Sequence, residues 1–120
     1  MAPLPDDALV VRGGQNLPVS FVQGSGVTVT SGGKVQGVSV NAASGLSVKE
    51  LTAPDAQTGY PGIPHKQVGV TTMGKIRALG GDVIPSPRKN NPNHATLSGL
   101  TPEQASSLFR PIVQNPNQIK

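Results

Sequence analysis

The sequence predicts an α+β domain, with a twisted and mostly antiparallel sheet and two or three short helices. Short β-branched runs recur along the chain, and signals for helix starts stand between some of them. The 15 Gly and 12 Pro residues supply frequent turns. A length of 120 residues suits one domain spanning residues 1–120, in which residues 1–7 and 115–120 are expected to be flexible.

The first third of the chain is predicted to form strands joined by glycine turns. Residues 8–12 are mostly aliphatic and end at Gly13-Gly14, which indicates a first strand. Pro18 suits the first position of a helix, so one short helical turn could begin there. Residues 27–40 hold two β-branched runs around a Ser-Gly-Gly turn, which predicts a hairpin with its second strand over residues 34–40.

The middle of the chain is predicted to contain a short helix, a loop, a strand and a second helix. Ser47 and Glu50 match a capping box, and Pro54 stops the helix that they begin. An exposed loop is expected up to Pro64, followed by a strand over residues 66–70. Thr71 or Thr72 can cap the next helix, which runs to Leu79 with Met73, Ile76 and Leu79 on one apolar face.

The last third is predicted to form two strands and a final helix. Residues 82–84 form a strand that Pro85 ends, and residues 94–98 form the next. Thr101, Pro102 and Gln104 together give an N-cap, a proline at the first helical position and a capping box, so a helix is expected up to Phe109. From Asn115 onward the sequence is typical of a frayed tail.

Three places in the sequence carry polar groups that could do chemistry or hold a ligand. His94, Thr96 and Ser98 alternate along one strand, so they face the same side and are candidates for catalysis. Arg12 ends the first strand beside Gly13 and Gly14, where a guanidinium and an uncovered backbone could hold a phosphate. Ser39 and Asn41 share one face of their strand and could hold a polar ligand.

Composition excludes several classes of site. There is no Cys, so disulfides, zinc–thiolate sites and thiol catalysis are absent, and no metal site is expected. Apart from the adjacent Asp6 and Asp7 near the start of the chain, the six Asp and Glu residues are well separated in sequence, which argues against two-carboxylate glycosidase chemistry. No apolar run is long enough to span a bilayer, so no membrane insertion is expected. The first residues lack the features of a signal peptide.

Basic residues are concentrated in residues 65–89. This segment holds Lys66, Lys75, Arg77, Arg88 and Lys89 against Asp82 alone, in a chain of net charge +4. Such a segment could face RNA or an acidic protein. The alternative is that these basic residues form an ordinary solvent-exposed surface without a partner.

The order of these fragments resembles the small ADP-ribosyltransferase-like toxins of type VI secretion and related polymorphic toxin systems. The fragments are Val-Val-Arg-Gly-Gly at residues 10–14, Gly-Val-Ser-Val-Asn at 37–41, Gly-Leu-Ser-Val at 45–48, Gly-Gly-Asp-Val-Ile-Pro at 80–85 and Asn-His-Ala-Thr at 93–96. The resemblance implies a split sheet that holds NAD in a cleft. It further implies action in the cytoplasm of producer and target cells, delivery by a secretion system and a cognate acidic immunity protein.

Carried over to this chain, the resemblance makes Arg12 the group that binds the dinucleotide. The region of Ser39 and Ser47 then matches the central polar strand near the nicotinamide ribose, and His94 and Thr96 line the cleft. Tyr60 or Phe21 would stack on the nicotinamide. No Glu on a late strand matches the acid that polarises the ribose in this superfamily.

Two alternatives to the transferase follow from the residues themselves. A metal-independent ribonuclease needs a base, an acid and a cation near the phosphate. His94 or His65 could be the base or acid, Arg12, Lys75 or Arg88 the cation, and Thr96 or Ser98 could position the phosphate. A non-catalytic interaction domain is the third hypothesis.

Overall fold

The computed structural model describes residues 3–24 and 26–117, and the chain has an α+β fold. Within these residues the strands, in chain order, are β1 (Leu9–Gly13), β2 (Thr28–Val29), β3 (Val35–Gln36), β4 (Val38–Ala43), β5 (Gln67–Thr72), β6 (Asp82–Pro85), β7 (His94–Ser98) and β8 (Ile112–Gln114). The helices are α1 (Val48–Thr52), α2 (Met73–Ala78) and α3 (Pro102–Leu108), with one 3₁₀ turn at Pro18–Phe21.

The main sheet has the strand order β6-β7-β4-β1-β5-β8, and all of its neighbouring strands pair antiparallel. The predicted hairpin exists as a separate two-stranded sheet, β2-β3. Its second strand is shorter than expected, because Gly37 adopts a φ of 81° and separates β3 from β4. β4 then joins the main sheet and continues to Ala43.

The main sheet is split between β1 and β4. These strands pair from Leu9↔Ala43 to Val11↔Asn41, and the pairing then stops. Beyond that point β1 stays with β5 as far as Gly13↔Val68, while β4 stays with β7 as far as Val38↔Leu97. The two central strands therefore separate, and a gap opens between the end of β1 and the start of β4.

Each face of the sheet carries its own apolar core. Val10 belongs to the larger core, where Met73 and Ile76 of α2 and Phe109 after α3 pack. Val11 belongs to a smaller core on the opposite face, with Leu51 of α1. Since neighbouring strand residues point to opposite faces, α2 and α3 cover one side and α1 covers the other.

The three helices begin where the capping signals predict. Ser47 and Glu50 bond each other's backbone amides in a complete capping box at α1. Thr101 and Gln104 do the same at α3. Thr72, rather than Thr71, caps α2 by accepting from the Lys75 amide. Each cap satisfies amides that would otherwise lack a partner in the first helical turn.

Three local expectations are wrong. Leu79 is 41% exposed instead of packing with Met73 and Ile76, because α2 ends at Ala78. The loop before Pro64 is not wholly exposed, since Ile63 is buried in the smaller core. Asn115 is not a frayed end. It is fully buried and donates to the carbonyls of Ile63 and His65. Residues 1–2 and 118–120 of the expected flexible ends lie outside the described residues.

Candidate functional site

A cleft of about 570 Å³ opens at the split in the sheet. The separated strands supply its walls, with the end of β1 on one side and the start of β4 on the other. Loops from three parts of the chain complete it. The residues that line it are Val11, Arg12, Gly13, Gly14, Asn16, Ser20, Gln23, Gly24, Ser39, Val40, Asn41, Tyr60, Gly62, Ile63, Pro64, His65, Asn91 and His94. None of these described residues is an Asp or a Glu, so the cleft has a basic lining.

His94 is the best-defined polar group of the cleft. It is the first residue of β7 and lies opposite Asn41 of β4. The residue is 8% exposed, and both nitrogens of its ring have hydrogen-bond partners. Nδ1 lies 3.0 Å from the Ser86 carbonyl oxygen and 2.9 Å from Ser86 Oγ, and Nε2 lies 3.1 Å from Ser39 Oγ.

These contacts determine which ring nitrogen of His94 carries the proton. A carbonyl oxygen only accepts, so the Ser86 carbonyl places the proton on Nδ1. The Nε2 lone pair then accepts from the Ser39 hydroxyl. Burial lowers the pKa of His94 below its ordinary value, and the nearby charge of Arg88 lowers it further, against the opposing effect of the Ser86 hydrogen bond. At neutral pH the ring is therefore uncharged and able to take a proton through Nε2.

Arg12 brings a positive charge to the other wall. Its Nη1 donates to Asn16 Oδ1 at 3.0 Å, and its Nη2 donates to the Ser20 carbonyl at 2.8 Å. Its Cζ lies 4.6 Å from the centre of the Phe21 ring, where a cation is attracted by the ring face. Burial lowers the pKa of Arg12, yet a guanidinium stays protonated in proteins.

No carboxylate of the described residues lies within ion-pair distance of Arg12. The side chain is also rigidly placed, because Asn16 is fully buried and its Nδ2 donates to the carbonyls of Arg12 and Gly14. Two of the five guanidinium N–H groups are used by these contacts. A fixed cation with donors left over is suited to hold a phosphate.

An amide network forms the closed end of the cleft, where β1 and β4 still pair. Asn41 Nδ2 donates to the Leu51 carbonyl and to Tyr60 Oη, each at 2.9 Å. Asn91 Nδ2 donates to Asn41 Oδ1 at 2.9 Å. The network therefore joins the loop carrying Tyr60 and the loop carrying Asn91 to β4.

The backbone at the end of β1 is less open than the two glycines suggest. A Cβ on Gly13 would overlap the His65 ring and lie 2.8 Å from Ile63 Cγ2. The space beside Gly13 is thus filled by protein side chains rather than left for a ligand. The same packing brings His65, which is exposed, into the lining of the cleft.

The structure brings together most of the residues singled out from the sequence. Those that line the cleft are Arg12, Gly13, Gly14, Ser39, Asn41, Tyr60 and His94. Thr96 and Ser98 do not line it. They lie on the same face of β7 as His94 but further along the strand, and Thr96 Oγ1 bonds Ser86 Oγ at 2.8 Å. Thr96 therefore contacts the site through Ser86 and through its backbone pairing with Ser39.

Sequence reasoning undervalued His65 and missed the roles of Asn16, Ser86 and Asn91. A loop histidine after a proline carries no local sign of a site. The Asn91-Pro-Asn run did indicate a turn, and Asn91 N and O pair with the backbone of Arg88 there. Which side chain the turn would present to Asn41, fifty residues away in sequence, depends on the sheet register.

The basic residues of segment 65–89 lie on different elements of the fold. Lys75 and Arg77 lie on α2 outside the larger core that Met73 and Ile76 of the same helix join, and Arg77 Nη1 lies 2.6 Å from Asp6 Oδ1. Arg88 is exposed in the loop that holds His94, where its charge acts on that ring. His65 at the start of the segment and Arg88 near its end are therefore the groups placed near the cleft.

No protein-family model, curated protein or solved structure matches this chain. Among the described residues, no helix has the length and apolar character that crossing a bilayer requires.

The environment of His94 makes stability depend on pH. The unfolded chain has an ordinary His pKa of about 6.5, whereas the folded pKa is lower. Between these two pKa values the unfolded state binds more protons than the folded state. The contribution of His94 to the free energy of unfolding is therefore full above about pH 6.5 and is lost as pH falls through the folded pKa. Thermal melts from pH 7.5 to 5 are expected to show a smaller acid-induced decrease in His94→Gln than in the wild type. Equal decreases would contradict this.

Proposed function

We propose that this chain is a metal-independent ribonuclease that cleaves RNA by attack of a 2′-hydroxyl on the adjacent phosphodiester. One observation carries the proposal: a neutral His94, with Nε2 as proton acceptor, and an Arg12 without a carboxylate partner line the same cleft. Transesterification needs a base near the hydroxyl and a cation near the phosphate. Both are present, and no acidic lining residue repels the substrate.

Each of these residues has its own role in the reaction. The substrate 2′-hydroxyl takes the position of the Ser39 hydroxyl at Nε2, and His94 accepts its proton. The 2′-oxygen forms a bond to phosphorus, and the bond from phosphorus to the 5′-oxygen breaks. Arg12 stabilises the charge that develops on the phosphoryl oxygens. His65, the other imidazole of the lining, supplies a proton to the leaving 5′-oxygen.

Transfer RNA incubated with the purified chain in EDTA tests this proposal. We expect discrete cleavage that leaves a 2′,3′-cyclic phosphate and a 5′-hydroxyl, since these ends record attack by the 2′-hydroxyl. An oligonucleotide with a single 2′-deoxy sugar at the cleaved position is the matched control and should resist cleavage there. Cleavage of the deoxy control, or dependence on added Mg²⁺, would contradict the mechanism.

An NAD-dependent transferase is the second candidate, because the split sheet places Arg12 and Tyr60 beside one cleft, as that mechanism needs. Arg12 could hold the diphosphate, and Tyr60 is an aromatic side chain in the lining. The lining residues supply no Asp or Glu to polarise the ribose, so the fit to NAD is incomplete. Release of nicotinamide from labelled NAD would support the transferase, and its absence beside RNA cleavage would support the nuclease.

A toxin role is part of the same proposal. Either activity should make expression of the chain toxic in a bacterial host, and a basic cleft is suited to an inhibitor with an acidic surface. Co-expression with a neighbouring acidic gene product should then restore growth. A wild-type chain that is not toxic would weigh against a toxin role without bearing on RNA cleavage in vitro.

A further inference from the structure

The hydroxyl of Ser39 meets the geometric requirements of an activated nucleophile. Its Oγ lies 3.1 Å from Nε2 of His94, and the other ring nitrogen donates to the Ser86 carbonyl at 3.0 Å. A nucleophile bonded to a base, which a third group orients, is the arrangement that activates serine in covalent catalysis. Ser39 is also exposed, so a ligand can reach it without a change in the fold.

The sheet split explains why this serine is accessible. Ser39 lies in the part of β4 that has separated from β1, two residues beyond the last pair, Val11↔Asn41. Its backbone is still held by the pair Ser39↔Thr96 with β7. The side chain thus stands on a rigid strand and opens into the cleft.

We propose that Ser39 is a nucleophile that takes a phosphoryl group from an activated phosphoryl ester. Oγ forms a bond to phosphorus, the bond to the leaving group breaks, and the Oγ proton passes to Nε2 of His94. Arg12 lines the same cleft with guanidinium donors not used by the described residues, and a guanidinium fork matches phosphoryl oxygens. The inference shares His94 with the proposed ribonuclease but does not depend on RNA being a substrate.

A fluorophosphonate is the probe for this step, because its phosphorus forms a stable bond to an activated serine while fluoride leaves. We expect one label per chain, located on Ser39 by peptide mass analysis. Ser39→Ala should lose the label, and His94→Gln should label at least about tenfold more slowly. Ser44→Ala is the matched control, since Ser44 is exposed in the turn after β4 and outside the cleft lining.

A second measurement does not depend on how the probe fits. The chain has no Cys, so Ser39→Cys carries a single thiol. Beside His94 this thiol should react with iodoacetamide at pH 7 about tenfold faster than the thiol of Ser44→Cys. Its rate should also reach a plateau at lower pH. Equal rates and equal pH profiles, together with no fluorophosphonate label, would overturn the inference.

The two proposals can fail separately. A label on Ser39 in a chain that does not cleave RNA would remove the ribonuclease and leave the nucleophile. Conversely, the chain could cleave RNA while Ser39 takes no label and the Ser39→Cys thiol reacts like an ordinary thiol. That result would remove the nucleophile and leave the ribonuclease. If His94→Gln does not fold, the pH profile of Ser39→Cys still tests whether the imidazole activates this position.

Discussion

Replacing His94 by Gln is expected to lower the rate of RNA cleavage by about 10²- to 10⁴-fold, the usual contribution of a general base. Gln has no group that can accept a proton near neutral pH, although its amide can still bond Ser39 or Ser86. The measurement is the rate of cyclic phosphate formation in EDTA under single-turnover conditions.

The control for this loss is Lys34→Gln. Lys34 is an exposed cation in the turn between β2 and β3, outside the cleft lining. The substitution removes one positive charge, so it reports how far general electrostatic attraction for RNA affects the rate. We expect its rate to stay within about threefold of the wild type. A His94→Gln chain that folds and cleaves as fast as Lys34→Gln would remove His94 from the mechanism.

Replacing Gly69 by Ala is expected to lower the free energy of unfolding by about 2–4 kcal/mol, the upper range for overpacking a buried site. Gly69 lies opposite Arg12 on β5. A Cβ there would lie 2.6 Å from Asn16 Nδ2 and 2.7 Å from the Phe109 carbonyl oxygen. The second contact is with backbone, so a rotamer change alone cannot relieve it.

Thermal and urea unfolding measure this effect, which corresponds to a decrease in Tm of roughly 10 °C. Gly32→Ala is the matched control. A Cβ on Gly32 would meet only Thr30 Oγ1, at 3.9 Å, and should change stability by less than about 1 kcal/mol. Equal effects at the two glycines would show that Gly69 is not closely packed. A larger loss at Gly69 should be accompanied by weaker RNA cleavage, because Asn16 positions Arg12.

The helices and most strands were accessible from sequence because their signals are local. The capping box of Ser47 and Glu50 joins residues three apart, and so does that of Thr101 and Gln104. Such contacts form in any context that lets the helix begin. The sheet partners were not accessible in this way. β8 pairs with β5 more than forty residues away in the chain, and Asn115 is buried by that pairing.

The candidate site was only partly predictable for the same reason. Alternation along β7 correctly placed His94, Thr96 and Ser98 on one face, but alternation does not say how far the cleft extends along the strand. Thr96 lies opposite Ser39 in the separated part of β4, yet Ser39 and His94 line the cleft and Thr96 and Ser98 do not. The cleft gains His65 because that ring packs on Gly13.

By itself, the sequence determined the α+β class, the helix starts, the absence of thiols, the excess of positive charge and the polar character of β4 and β7. The tertiary structure decided where the sheet splits, and so that Arg12 and His94 line one cleft without a carboxylate from the described residues. It also decided that the Ser86 carbonyl places the His94 proton on Nδ1, leaving Nε2 to Ser39. The reason is physical: capping and alternation act between near neighbours, whereas the strand register that brings these groups together depends on pairing between distant segments.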